Sequence, residues 1–372
     1  MINSDNFTIL VPLIIIIVII GLVVDRLPIG RHFPSTVLVM IIAIILTNTG
    51  ITPNSSSVYD FVFSDFVPLG IVLLLFNARL DEIVSEIRPI ILSFFIAVVA
   101  TLTGVFAAVV FMDFGELEAS IAGVFAGTYI GGAMNFVAVS QVVGLTDPDV
   151  YASALAADTA VGAVFFITLV LLSMLVPRET ENPIDDDAAQ TAPDDTYRPT
   201  NLFALGVTLV IAFAVTKISG PIAEALYIGK FSILVMTIIA IAIANLLPNQ
   251  IKRISGIDDI GVAIMFTFFV VVGLGANMSS LTGPALEFVF FAAIILGIHV
   301  ILLTVVWKVF KLPLRELLIA SNACVLGPAT AAGMAASRGW IRLVTPGLVA
   351  GVFGYAIASF IGTGVATLLG WR

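Results

Sequence analysis

Charge is scarce in this chain: of 372 residues only 11% are charged, against about 25% in an average soluble domain. With 60% of residues hydrophobic, a water-soluble globule of this size is excluded. Cysteine and histidine are scarcer still. A single cysteine, Cys324, precludes an intramolecular disulfide, and the two histidines, His32 and His299, give no metal-ligand spacing. No cofactor is therefore expected. Lys and Arg number 16 against 25 Asp and Glu, and the net charge of -9 leaves no basic patch for nucleic acid. The first apolar stretch has no basic residue before it, Arg26 and Arg31 following instead, so it reads as a first helix left in place and not as a signal peptide.

What the chain has in abundance is long apolar runs, such as 10–24, 90–112 and 288–306, each near the ~20 residues that span a bilayer as helix. They lack the two-residue alternation of barrel strands, and a spanning segment must satisfy its backbone internally, so the fold class is an all-α polytopic membrane protein. Hydropathy separates twelve segments: 8–25, 34–49, 65–79, 89–112, 118–144, 150–176, 200–217, 231–248, 259–276, 284–308, 315–336 and 343–369. They form two sets of six, residues 1–176 and 201–372. Between them 177–200, PRETENPIDDDAAQTAPDDTYRPT, is acidic and proline-containing and reads as a mobile linker.

The two sets resemble a diverged repeat. The fifth segments agree best: TYIGGAMNFVAVS from Thr128 and CVLGPATAAGMAA from Cys324, a register of 196, each with a helix-breaking pair, Gly131-Gly132 or Gly327-Pro328. Lysine and arginine test the topology. If all twelve segments cross, the sixteen basic residues divide evenly between the two sides. If the fifth and eleventh re-enter on one side, or each half otherwise crosses an odd number of times, thirteen fall inside and only Lys217, Lys230 and Arg372 outside. That bias calls for two inverted six-segment repeats, each with a broken or re-entrant helix, with the N-terminus outside the cytoplasmic membrane and the linker in the cytoplasm. Inverted repeats with broken helices characterise secondary transporters.

A glycine pair at bilayer depth frees backbone groups that lipid cannot satisfy, so it survives only inside protein or beside a wet cavity. Thr128, Asn135, Ser140 and Gln141 accompany the first break, and Ser321, Asn322, Cys324 and Thr330 the second. Oxygen groups there suit a small cation and helix N-termini suit an anion. The competing reading is that small residues merely allow close helix packing. Asp158, with no basic residue within 19 positions, is the most informative residue, because a carboxylate inside an apolar segment marks an ion or proton pathway by default. Together with Asn135 it forms the expected Na+ site, and Thr159 beside it reads either as a second oxygen ligand or as a hydroxyl bonding back onto its own helix. His299 is expected to be a hydrogen-bonded packing residue, Asn77 and Asn277 helix caps, and Trp307, Trp340 and Trp371 interfacial anchors.

The segments GTYIGGAMNFVAVS, GPATAAGMAASRGW and LVTPGLVAGVFGYAIASFIG resemble the bacterial and archaeal membrane proteins grouped as domain of unknown function 819. More distantly, the segment order is similar to the sodium/glutamate and bile-acid/sodium symporters. That resemblance implies an elevator-type transporter with a scaffold and a moving core, coupled to Na+ or H+ and, by analogy, dimeric. Its site residues would be Gly131, Gly132 and Asn135, then Gly327, Pro328 and Thr330, with Asp158 where related cation/proton antiporters carry an acid. The glycine-histidine-glycine pattern of the glutamate symporters is absent.

The function expected is cation-coupled transport of a small, anionic organic solute, with monovalent cation/proton antiport as the alternative. An enzyme is not expected, because only one deep carboxylate and one deep histidine are present and they fall in different segments. A channel would not need two broken repeats.

Overall fold

The computed structural model describes residues 4, 6–27, 34–76, 80–145, 147–176, 202–229, 232–247, 254, 256–278, 281 and 283–371, with the side chains of 80–85, 234, 258 and 284 left aside. The linker 177–200, His32 and Asn77 lie outside the described residues. Among those described there is helix and no strand. The first half runs α1 Phe7–Arg26, α2 Ser35–Asn48, α3 Ser57–Leu75, α4 Leu80–Phe111, α5 Glu118–Gly131, α6 Ala133–Val142 and α7 Pro148–Ser173. The second runs α8 Leu202–Ala225, α9 Ser232–Leu246, α10 Ile257–Gly275, α11 Pro284–Phe310, α12 Leu314–Val325, α13 Pro328–Ser337 and α14 Val344–Leu368. Each of the twelve expected segments overlaps helix among the described residues, the fifth as α5 and α6, the eleventh as α12 and α13. Among the described residues seven helices are long and apolar enough to cross a membrane. The third segment starts earlier than its hydropathy suggests, because a π turn at Val62–Phe66 carries the helix up to Pro68, which lacks an N–H.

Both broken segments fold back as hairpins. Near its base the first hairpin is closed by Ser120 Oγ, which donates to Val143 O at 3.2 Å. Further in, a Cβ on Gly127 would lie 2.7 Å from Val139 Cγ2. An unbroken helix would separate those two residues by about 18 Å. In the second hairpin Asn322 Nδ2 meets Met334 Sδ at 3.2 Å, across the same number of residues. The turn is made by Gly132 (φ 72°, ψ 178°) and by Gly327 (φ 97°, ψ -176°), a region that essentially only glycine occupies. These correspondences give a register of 195, one less than the sequence similarity suggested. Gly132 then matches Gly327, and Asn135 matches Thr330, each the third residue of its returning helix.

The hairpins enter the fold from opposite ends. Trp371 Nε1, beyond α14, donates to Val143 O at the base of the first hairpin (3.0 Å). Arg338 Nη2, at the base of the second, donates to Ser173 O at the end of α7 and to Val176 O just past it, both at 3.0 Å. Since α7 leaves the first base and α14 leaves the second, the two helices run in opposite directions. The tips meet between them: a Cβ on Gly132 would lie 3.3 Å from Leu326 O and 3.5 Å from Gly327 Cα.

Small residues allow this. Gly123, Gly127 and Gly131 on α5 face Gly354, Ala358, Gly362 and Ala366 on α14, so closely that a Cβ on Gly123 would come within 2.8 Å of Gly362 O and one on Gly354 within 2.6 Å of Ile130 O. The close-packing reading of the glycines therefore holds for α5, while the helix-break reading holds one residue further on.

Contacts between helices fall into two bodies. Helices α4 to α7 and α11 to α14 pack extensively on one another, as do α1, α2, α3, α8, α9 and α10. Contacts between the bodies are sparse and involve mainly α13 with α10 and α3. We call the first body the core and the second the scaffold. Trp340 departs from expectation: it is fully buried, with the Arg338 guanidinium 5.6 Å from its ring, because the chain turns inward between α13 and α14.

Candidate functional site

A cavity of about 160 Å³ opens on the seam between core and scaffold. On the core side are Thr128 from the end of α5, Ala133 from the start of α6, Asp158, Thr159, Gly162, Ala163 and Phe166 from α7, and Val325, Leu326 and Thr330 from the second hairpin. Phe268, Phe269 and Val272 of α10 form the scaffold side. Among the described lining residues the polar side chains belong to the core and those of the scaffold are apolar. A volume of this size exceeds what one water needs and suits a small solute or several waters.

Asp158 has only 8% of its surface exposed. Thr128 Oγ1 lies 3.4 Å from each of its carboxylate oxygens, too long for strong hydrogen bonds. The Tyr129 side chain neighbours the same carboxylate, but its hydroxyl makes no hydrogen bond among the described residues. The carboxylate is thus removed from bulk water with weak protein partners and its face to a cavity. A charge so placed is costly unless a cation or a proton joins it.

The remaining expected site residues divide. Thr128, Thr159 and Thr330 line the cavity with Asp158. Thr159 Oγ1 donates to Leu155 O (2.9 Å) and Thr330 Oγ1 to Gly327 O (2.9 Å), which leaves their lone pairs available to a ligand. Gly132 and Gly327 make the turns, and Pro328, seated at the first position of α13 where its missing N–H costs nothing, abuts Gly351. Gly131 lies in the contact between α5 and α14.

Asn135 is not on the cavity wall. Its Nδ2 donates to Gly131 O (2.9 Å) and its Oδ1 accepts from Ser359 Oγ of α14 (2.5 Å), so the amide is spent on fixing the hairpin to α14. Asn322 is also elsewhere, fully buried between the arms of the second hairpin. The pairing of Asp158 with Asn135 as metal ligands has no counterpart in the arrangement of these side chains. Among the described residues no group of three or more His, Cys, Asp or Glu could hold a metal ion.

His299 is a packing residue tied into the core: its ring nitrogens sit 2.9 Å from Thr101 Oγ1 and 2.8 Å from Ser321 Oγ, and its ring meets Phe165 edge to face. Thr101 Oγ1 and Cys324 Sγ both approach Tyr129 O at 3.3 Å. The network links α4, α5, α11 and α12 behind the site. Asn48, which hydropathy did not single out, closes α10 by donating to Ala276 O (2.9 Å) and accepting from Met278 N–H (2.6 Å). Sequence reasoning also missed the Phe166, Phe268, Phe269 and Val272 wall, since these residues sit in uniformly apolar runs.

Compared with known proteins, residues 9–371 match the model of a family described as "Protein of unknown function (DUF819)". The chain belongs to this family. It is also similar to the "Uncharacterized membrane protein YjcL" of Bacillus subtilis (strain 168), with 31% identity over 342 residues covering 86% of each chain. This DUF819 chain is thus a membrane protein, helical among its described residues, and the segments that carried the resemblance are those that form the two hairpins and α14.

Proposed function

We propose that this DUF819 protein is a cation-coupled secondary transporter of a small organic solute, with Na+ or H+ held at Asp158. The observation that carries the reading is the placement of Asp158: a buried carboxylate beside two meeting hairpin tips, in a cavity between two helical bodies that touch sparingly. Buried charge of this kind serves ion pathways. Opposed hairpins, oppositely running α7 and α14, and similar breaks in each half support an inverted repeat of five crossings and one re-entrant hairpin per half. With thirteen of sixteen basic residues then on one side, the N-terminus and the base of the first hairpin face outward and Arg338 faces the cytoplasm. The polar cavity groups would travel with the core past an apolar scaffold, as an elevator does. An anionic solute, the expectation from sequence, would rest on the N-termini of α6 and α13 alone, since no basic side chain is among the described residues lining the cavity.

The test is transport by the purified chain in liposomes containing a pH dye. Coupling through Asp158 predicts that Asp158→Asn, nearly isosteric, lowers ion-driven flux at least tenfold while its thermal unfolding midpoint stays within a few degrees of wild type. Undiminished flux in that variant would remove Asp158 from the mechanism. Sodium-driven proton movement with no solute present would favour cation/proton antiport instead.

A further inference from the structure

We infer that the solute is a small organic cation, an alkyl- or aryl-ammonium ion, which takes the place of the coupling cation at Asp158. This deepens the transporter reading and rests on it. Of the described residues lining the cavity, Asp158 is the one that carries a charge, and none is lysine, arginine or histidine. Whenever Asp158 holds neither proton nor Na+, an anionic solute would meet like-charge repulsion in a poorly screened site, with no basic lining residue to offset it. A cation instead removes the cost of burying Asp158.

The aromatic part of the lining, shared by α7 and α10, suits the rest of such a molecule. Phe166 of α7 and Phe269 of α10 lie with ring centroids 4.8 Å apart, and Phe269 is 5.2 Å from Phe268. All three rings contribute to the cavity. Aromatic faces attract a desolvated ammonium group and the alkyl carbons around it, whereas a hydrated Na+ gains little there. Thr128, Thr159 and Thr330 add hydroxyl oxygens, which accept hydrogen bonds from an N–H donor or coordinate an inorganic cation equally well. Solute and coupling ion thus have overlapping requirements at one carboxylate, and occupancy by one excludes the other. Exchange is the outcome: the core carries a proton or Na+ one way and the ammonium ion the other.

The experiment uses the full chain in liposomes loaded at acidic pH, with radiolabelled tetramethylammonium outside in one arm and methanesulfonate in the other. Both are permanently charged and do not leak as neutral species. Saturable tetramethylammonium uptake, inhibited by external Na+ and reduced at least tenfold in Asp158→Asn, is expected, with methanesulfonate left outside. Because Asp158→Asn could fail to fold, Phe269→Leu is a second arm: it keeps apolar volume but removes a ring, and the half-saturating tetramethylammonium concentration should rise at least about threefold. Uptake of methanesulfonate but not tetramethylammonium would overturn the ammonium assignment and leave the transporter reading standing. Sodium-driven proton movement with no uptake of either probe would overturn it too, in favour of inorganic cation exchange. If neither solutes nor ions move, the transporter reading itself falls.

Discussion

Two glycines and one histidine show how differently single residues are used at this depth. Gly132 and Gly327 hold backbone angles that a side chain strains, and in each the space for a Cβ is already contested, by Leu326 O at 3.3 Å or by the Tyr355 hydroxyl at 3.1 Å. Gly132→Ala and Gly327→Ala should therefore each cost about 1–3 kcal/mol of stability, read as lowered unfolding midpoints in detergent. Unchanged midpoints for both would contradict the turn geometry. His299 fills another role. Replacement by Phe leaves Thr101 and Ser321 without their ring partners in a fully buried place and should destabilise by about 1–3 kcal/mol for each group left unsatisfied. Its half-saturating ion concentration should stay at the wild-type value; a large shift would make His299 part of the ion pathway. Both helix-breaking pairs, Gly131-Gly132 and Gly327-Pro328, were legible in the sequence because glycine and proline interrupt an apolar run so cleanly. The partners of Asn135 and Asn322 were not, because an amide's hydrogen bonds depend on which helix lies opposite.

At the scale of elements, the fifth and eleventh segments decide the topology. Hydropathy treats them like the other ten, since a re-entrant hairpin buried in protein is as apolar as a span. The folded-back geometry places Glu116 and Asp147, which bracket the first hairpin, at one surface, and Lys311 and Arg342, which bracket the second, at the other. Cysteines placed singly at these four positions in a Cys324→Ala background should react with an impermeant thiol reagent in two pairs. Glu116→Cys and Asp147→Cys should label from one side of the membrane, Lys311→Cys and Arg342→Cys from the other. Labelling of Glu116→Cys and Asp147→Cys from opposite sides would show a crossing segment and remove the basis for opposed hairpins. Gly123, Gly127 and Gly131 form a packing stripe whose partner on α14 is 200 residues and more away, a contact that no local pattern in the sequence indicates.

The whole molecule divides into a core holding every polar group of the cavity and a scaffold supplying its apolar wall. If the core slides against the scaffold, fastening the two should stop transport. Gly333 of α13 and Met265 of α10 offer the place, since a Cβ on Gly333 would be 3.3 Å from Met265 Sδ. Mercuric ions bridging a Gly333→Cys, Met265→Cys pair should arrest flux, with recovery on adding a thiol, while each single variant remains active. Flux through the bridged protein would rule out sliding at this seam. Sequence alone determined the solvent, the secondary structure and the number of segments, because these follow from local hydropathy and from the need to satisfy every backbone group in lipid. It also singled out Asp158, a charge without local compensation. Only the tertiary structure decided that the two breaks are hairpin turns, that their tips meet, and that Asp158 shares its cavity with aromatic rings and not with Asn135. Those depend on contacts between residues far apart in the chain, and uniformly apolar runs carry no pattern from which such contacts can be read.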